Sequence, residues 1–371
     1  MKYLAEFRDP AAARRILAEI RRIATRPWTL MEVCGGQTHS LLRHGIDAEL
    51  AGVVELIHGP GCPVCVTPQE AIDFACDLSQ RPNTILTSFG DMLRVPGSRT
   101  SLLESRAAGG NVQAVYSPLD AVELARRQPA DEVVFFAVGF ETTTPTTALA
   151  VRQAAALGLK NFSLLVAHVR VLPAMEALVS AKDCRVHGFL AAGHVCAITG
   201  CAEYEPFASR YQMPVVVTGF EPVDLLQGIL ECVRLLEAGQ AAVVNGYRRT
   251  ARDDGNPTAQ EMVANVFETC DRAWRGLGVI SHGGVRLRTE YRGFDAEHRF
   301  ARSRLPVLDV SDCRSGEVLS GRIKPPQCAS FGVRCTPDSP LGAPMVSSEG
   351  ACAAYYRYNP AATSATRVSA S

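Results

Sequence analysis

The feature that most constrains this chain is a repeated alternation of short apolar runs with marked helix starts. The runs are Trp28–Val33, Val53–Ile57, Thr84–Thr87, Val112–Tyr116, Val133–Val138, Ser163–Ala167, Val186–Leu190 and Pro214–Thr218. Near-continuous apolar runs of this length fit strands buried on both faces of a parallel sheet. Between them, Thr67-Pro68-Gln69-Glu70 and Ser117-Pro118-Leu119-Asp120 have capping-box spacing with Pro at the first helical position, and Thr144-Pro145 and Glu221-Pro222 also put Pro at a start. Gly158 and Gly239 sit where helices should end. A first helix is predicted from Pro10, capped by Asp9, with Ile16, Leu17, Ile20 and Ile23 at helical spacing. Strand–helix alternation points to an α/β fold with right-handed crossovers.

Three segments echo one another. Ser88-Phe89-Gly90-Asp91, Val138-Gly139-Phe140-Glu141 and Thr218-Gly219-Phe220-Glu221 each follow a run and end in a carboxylate after a Gly/Phe pair. Two related α/β domains would give this pattern, and so would recurrent strand-end turn chemistry. After residue 240 the rhythm fades. Residues 281–310 are polar and rich in Arg, His and Gly, and residues 313–371 hold four Cys among many Pro and Gly. Such a tail buries little core unaided, so a metal staple is expected to hold it. Residues 360–371 read as a loose end.

Composition excludes several classes. The chain has 38 basic and 38 acidic side chains and no basic run, which argues against a dedicated nucleic-acid binder. No stretch approaches the ~18 apolar residues of a membrane span. The N-terminal MKYLAEFRDPAAARR lacks the apolar core of a signal peptide, so the expected location is the cytoplasm. In that reducing compartment the 13 cysteines should be thiols, metal ligands or redox groups. With 8 His against 13 Cys, metal chemistry should be sulfur-led.

Ligands of open α/β sheets collect beyond the carboxyl ends of the strands. Following the successive runs are Cys34-Gly35-Gly36-Gln37-Thr38-His39-Ser40, His58-Gly59-Pro60-Gly61-Cys62-Pro63-Val64-Cys65, Asp91, Glu141-Thr142-Thr143, His168, Gly193-His194 and Glu221. Cys34, before two glycines and a helix start, suits a partly ionised thiol or a soft-metal ligand, or else a buried cysteine at a tight turn. Cys62 and Cys65 form a C-x-x-C pair before a helix start. That spacing serves a redox or iron-binding dithiol, half of a zinc site, or structure, and no second C-x-x-C supports zinc. In the segment G-H-V-C-A-I-T-G-C, Cys196 and Cys201 match no familiar ligand spacing and read as packing and turn residues. Cys76, Cys184, Cys232 and Cys270 read as core or helix-face residues. Cys313, Cys328, Cys335 and Cys352, spaced C-x14-C-x6-C-x16-C, suit four-thiolate coordination of zinc or of an iron–sulfur cluster.

Four segments together resemble the HypD family of [NiFe]-hydrogenase maturation proteins. They are CGGQTHS at 34–40, HGPGCPVCVTP at 58–68, VGFETTTPTTA at 138–148 and MVSSEGACAAYYRY at 345–358, with IKPPQCASFGVRCTPDSPLGAP linking Cys328 and Cys335. The resemblance runs essentially the full length. It implies two parallel-sheet α/β domains, placed at 29–128 and 129–240, and a third, irregular or helical, from 1–28 and 241–371 that carries a [4Fe–4S] cluster. It also implies a scaffold on which an iron centre receives two cyanides and one carbon monoxide. The partners implied are the small chaperone HypC and the carbamoyl-dehydratase HypE, which supplies cyanide with HypF upstream. By motif match Cys34 is the iron ligand, Cys62 and Cys65 are a redox dithiol, and Cys313, Cys328, Cys335 and Cys352 are the cluster ligands. His58, Glu141 and His194 should line one open cleft with the Cys34 sulfur, His39 should join the chemistry, and HypC should dock there with a second thiolate. The competing expectation is a thiol–disulfide oxidoreductase of the ferredoxin–thioredoxin-reductase type acting on a partner protein. No G-x-x-x-x-G-K-[ST] loop points to nucleotide use.

Overall fold

The structure is a computed structural model that describes residues 5–301 and 312–359. Each of the eight apolar runs forms a strand. A five-stranded parallel sheet has the order β2 (Val54–His58), β1 (Trp28–Glu32), β7 (Gly188–Ala192), β8 (Val215–Thr218), β9 (Val243–Asn245). A four-stranded parallel sheet has the order β4 (Val112–Ala114), β3 (Thr84–Ser88), β5 (Glu132–Gly139), β6 (Phe162–His168). Strands β1, β3, β6, β7 and β8 are buried at every position, as near-continuous apolar runs require. The fold class is the expected α/β.

The sheets do not follow the expected division at residues 128 and 129. The chain lays down β1 and β2, leaves to build the whole second sheet, and returns for β7 to β9. The expected third unit is divided as well. The helix Pro10–Ile23, capped by Asp9, buries Leu17 and Ile20 against Leu30, Leu225 and Ile229 of the first sheet unit, and β9 pairs with β8. Apolar runs tell where strands lie. Which strands pair is decided by long-range packing, and two sheets of equally buried strands carry no local mark of membership.

An antiparallel hairpin of β10 (Phe267–Trp274) and β11 (Gly278–Leu287) was not expected from the sequence. Its half-buried face carries Glu268 and Arg272, which break the apolar alternation that marks a strand. Arg272 is accommodated because its Nη1 donates to the Val166 carbonyl at 3.1 Å. Just past β10, Arg275 N–H donates to the Val66 carbonyl at 2.8 Å, which ties the hairpin to the C-x-x-C segment. Among the helix starts, Ser117 and Asp120 form the expected capping box. Thr67 does not cap; its hydroxyl donates back to the Pro63 carbonyl at 2.9 Å. No helix among the described residues is long and apolar enough to cross a membrane. Residues 360–371, expected to be loose, lie outside the described residues.

Candidate functional site

In the first sheet, connections run outward in opposite directions from the neighbouring pair β1 and β7, which makes the crevice at their carboxyl ends the topological switch point. The residues just past those ends are Cys34 and His194, and they meet there, with Cys34 Sγ 4.0 Å from His194 Nδ1. Cys34 stands at the start of the helix Gly35–Arg43, and His194 lies on the helix Gly193–Thr199. The His194 ring packs on Phe220, with centroids 5.1 Å apart. Gln37 spans the crevice floor, its Nε2 donating to the Ala191 carbonyl at 3.1 Å and to Thr218 Oγ1 at 2.8 Å.

The C-x-x-C loop lies directly against Cys34. Gly35 N–H donates to the Gly61 carbonyl at 3.0 Å, and a Cβ at Gly61 would stand 2.2 Å from the Cys34 nitrogen, so only glycine allows this approach. Cys62 and Cys65 are joined by a disulfide, with Cα atoms 5.2 Å apart, and both are buried.

Beneath Cys34 is a buried polar network built on Glu32, the one charged residue of β1. Glu32 is fully buried and accepts from Cys34 N–H at 2.8 Å, from His58 Nδ1 at 2.7 Å and from the Thr38 hydroxyl. These donors offset the cost of burying the charge. His58 Nε2 stands 3.2 Å from the Tyr355 hydroxyl, which donates to Asp47 at 3.4 Å, and Asp47 pairs with Lys324 at 3.1 Å.

Tyr355 comes from the helix Ala351–Tyr358, which also carries Cys352. The same segment covers the site elsewhere. Tyr358 Oη is 2.8 Å from His39 Nε2, and the Glu349 carbonyl packs so closely on Gly35 that a Cβ there would meet it at 2.2 Å. Here the structure corrects an expectation. Cys34 does not face an open cleft: it is 5% exposed, because residues 347–358 lie over its helix start. Burial pushes its thiol up to about 12, and Glu32 and Glu349 act in the same direction. The free thiol is therefore protonated rather than partly ionised. Burial also lowers the pKa of His194 and, together with Arg357 and Arg43, that of His39.

Glu141 is a second correction. It follows β5 of the other sheet and so belongs to a different rim. Its Oε1 accepts from Val171 N–H at 2.8 Å, and it lines a cavity with Arg170, Gln260 and Phe267. Burial, reinforced by Glu203, pushes its carboxyl up to about 7. Of the other strand-end residues, His168 bonds Thr147 at 2.9 Å and Glu221 pairs with Arg8 at 2.9 Å.

Cys313, Cys328, Cys335 and Cys352 line one small cavity with Phe331, Leu341 and Met345. Leu341 N–H donates to Cys335 Sγ at 3.4 Å, the kind of bond that stabilises a thiolate. Burial, together with the other three sulfurs, raises the Cys352 thiol well above its ordinary value, so four thiolates could coexist here only with positive charge among them. The donor set thus fits a thiolate-held metal group. Among the described residues no three His, Cys, Asp or Glu close on one point as a single bound ion requires; the four cysteines surround a cavity instead.

Four further functional candidates had no role from the motifs: Glu32, which lies outside them, and Glu349, Tyr355 and Tyr358, which lie inside the 345–358 segment. For Glu32 a signal exists, since a lone carboxylate in the run Trp28–Val33 must be buried and therefore partnered. Tyr355→Phe should test the network. It leaves His58 Nε2 buried without its partner, and chemical denaturation should show a loss of about 1–3 kcal/mol. A change below ~0.5 kcal/mol would mean that the hydroxyl is not part of the network.

Comparisons with known proteins place the chain in a family. Residues 11–359 match the HypD family model, described as "Hydrogenase formation hypA family". The chain is 48% identical to the hydrogenase maturation factor HypD of Rhodobacter capsulatus over 96% of this chain and 98% of that one. It is 47% identical to the hydrogenase expression/formation protein HupD of Azotobacter chroococcum, and 45% identical to the hydrogenase maturation factor HypD of Escherichia coli, again over 96% of this chain. The chain therefore belongs to the HypD family of hydrogenase maturation factors.

Proposed function

We propose that this chain serves, with HypC, as the scaffold on which the Fe(CN)2CO unit of the hydrogenase is assembled. Cys34 is the protein's thiolate to that iron, which is cargo rather than a resident cofactor. The observation that carries the reading is the meeting of Cys34 with His194 at the switch point, against the loop of a C-x-x-C disulfide. A soft thiolate suits low-spin iron bearing cyanide and carbon monoxide. Bound cyanide keeps a nitrogen that accepts hydrogen bonds, and His194 offers a donor beside the sulfur. HypE delivers cyanide, with HypF upstream. Because residues 347–358 cover Cys34, HypC docking requires that segment to yield, and HypC then contributes the second thiolate.

The four tail cysteines fit a [4Fe–4S] cluster, which when bound supplies electrons one at a time. Cys62 and Cys65 form a two-electron couple: reduction breaks the S–S bond and takes up two electrons and two protons. Burial of both sulfurs disfavours the competing oxidoreductase reading, since a partner protein's disulfide would have to reach Cys62 or Cys65 in line. The two readings separate on turnover. Reduced protein given excess protein disulfide should reduce no more than its own stoichiometric equivalent, and anaerobic co-expression with HypC should yield a complex carrying iron beyond that of the cluster. Multiple turnovers without added iron would favour the oxidoreductase. Thiol trapping should also find Cys62 and Cys65 changing together with redox state while cluster absorbance persists. A pair that stays reduced under mild oxidant, or that binds zinc stoichiometrically, would remove the couple.

A further inference from the structure

We infer that Tyr247 is a positioning residue for the iron site, holding the His194 and Phe220 rings beside Cys34; the inference rests on the scaffold reading above. Cys34, His194, Phe220 and Tyr247 each stand two residues past the end of a strand, β1, β7, β8 and β9 in turn. Those strands are successive neighbours in the sheet, so the four residues form a row along its carboxyl edge. Contacts join the row. Cys34 Sγ is 4.0 Å from His194 Nδ1, the His194 and Phe220 ring centroids are 5.1 Å apart, and those of Phe220 and Tyr247 are 6.1 Å apart in an edge-to-face pair. Ser40, on the helix that begins at Gly35, donates its hydroxyl to the Phe220 carbonyl at 2.5 Å.

The reach of its ring singles out Tyr247. A Cβ at Gly193 would stand 2.3 Å from Tyr247 Cδ1, and one at Gly219 would stand 2.5 Å from Tyr247 Cε2. Those two atoms are opposite corners of the ring, and the two glycines directly precede His194 and Phe220. One flat side chain therefore rests on both backbones at once. The ring is itself held. Tyr247 N–H donates to Asn245 Oδ1 at 3.0 Å, and the Tyr247 carbonyl accepts from Ala251 N–H at 2.9 Å. The Arg249 guanidinium lies 4.3 Å from the Tyr247 ring centroid and 4.0 Å from that of Phe7. Arg249 in turn forks onto the buried carboxylate of Asp224, with Nη1 2.7 Å from Oδ1 and Nη2 on Oδ2.

The consequence for the iron site is geometric. The sulfur of Cys34 fixes where the iron and its cyanides sit, so His194 must keep its donor within hydrogen-bond reach of that place. His194 lies on a helix of 7 residues that starts at Gly193, which has no side chain to anchor it. The packing of Tyr247 on Gly193 supplies that anchor.

The test uses the full chain with isotope-labelled histidine rings and, separately, its complex with HypC. The contacts with the glycines are made by ring carbons, which Tyr247→Phe keeps and Tyr247→Leu loses. In magnetic resonance spectra at one fixed pH, the His194 ring signal, identified by its loss in His194→Gln, should stay in place in Tyr247→Phe and move in Tyr247→Leu. The signal of His168, at the end of β6, should stay in both. In the HypC complex, Tyr247→Leu should displace or remove the cyanide bands and lower maturation about tenfold to hundredfold, as a misplacement of ~1 Å can, whereas Tyr247→Phe should match the wild type. Where Tyr247→Leu does not fold, Tyr247→Met, long and apolar but without a flat face, is held to the same results. A folded variant that loses stability while its His194 signal stays put would show that Tyr247 is packing only and overturn the inference, as would Tyr247→Phe behaving like Tyr247→Leu. The histidine signal is read without iron, so its failure leaves the scaffold reading standing. A wild-type complex without cyanide bands would instead overturn the scaffold reading, and with it the purpose assigned to Tyr247.

Discussion

Cys34→Ala should abolish hydrogenase maturation in cells that depend on this chain, while the iron and sulfide of the proposed tail cluster remain unchanged. The substitution removes the sulfur at the switch point and little else. The hydrogen bond from residue 34 to Glu32 is made by the backbone and survives. Trimming a buried sulfur costs on the order of 1–3 kcal/mol, too little to unfold a chain with three further core clusters of comparable extent. The tail cysteines line a separate cavity, so their metal content should not follow the loss. Serine at the same position should fail as well, because a hydroxyl is a poor partner for soft iron. Wild-type levels of maturation from Cys34→Ala would remove Cys34 from its proposed role. Loss of tail iron together with activity would show that the two sites are not separable.

Cys328→Ala should strip the brown colour from the protein and expose residues 312–359 to proteolysis. That segment has short helices and one small core cluster of its own, built around Phe331, Met345 and Tyr355, and Cys328 packs against it. A metal group holding four thiolates would supply most of its order. A second effect follows from the covering segment. Residues 347–358 lie over Cys34 and would be anchored by that metal group through Cys352, so loosening them should make Cys34 react with a thiol reagent about tenfold faster or more, as an opening made ~1.4 kcal/mol easier would. Full iron and sulfide in Cys328→Ala would refute the cluster assignment. Colour lost with no change at Cys34 would refute the coupling of the tail to the site.

The strands were legible because a strand buried on both faces must be apolar throughout, and each of the eight runs forms one. What could not be read was the partnership between strands. β1 pairs with β7 across some 155 residues of chain, and nothing local in Leu30 or Phe189 announces it. The same gap misplaced Glu141. It follows a strand run just as Cys34 and His58 do, yet it stands at the end of a strand in the other sheet. The cysteine motifs were legible as chemistry because sulfur at strand ends has few other uses. Their setting was less so. Cys34 was expected in the open, and the 347–358 segment that buries it lies more than 300 residues away in sequence. The β10–β11 hairpin escaped notice because Arg272 and Glu268 occupy its inner face, where their hydrogen bonds and not their polarity decide their fate.

Cys34 is proposed to hold iron bearing cyanide and carbon monoxide. The most direct test is infrared spectroscopy of the complex with HypC, purified without oxygen from cells fed isotopically labelled cyanide precursor. Wild-type protein should show one carbon monoxide band and two cyanide bands where protein itself does not absorb. The cyanide bands should shift with the label, and all three should be missing from Cys34→Ala. A wild-type complex without those bands, or a Cys34→Ala complex that retains them, would contradict it.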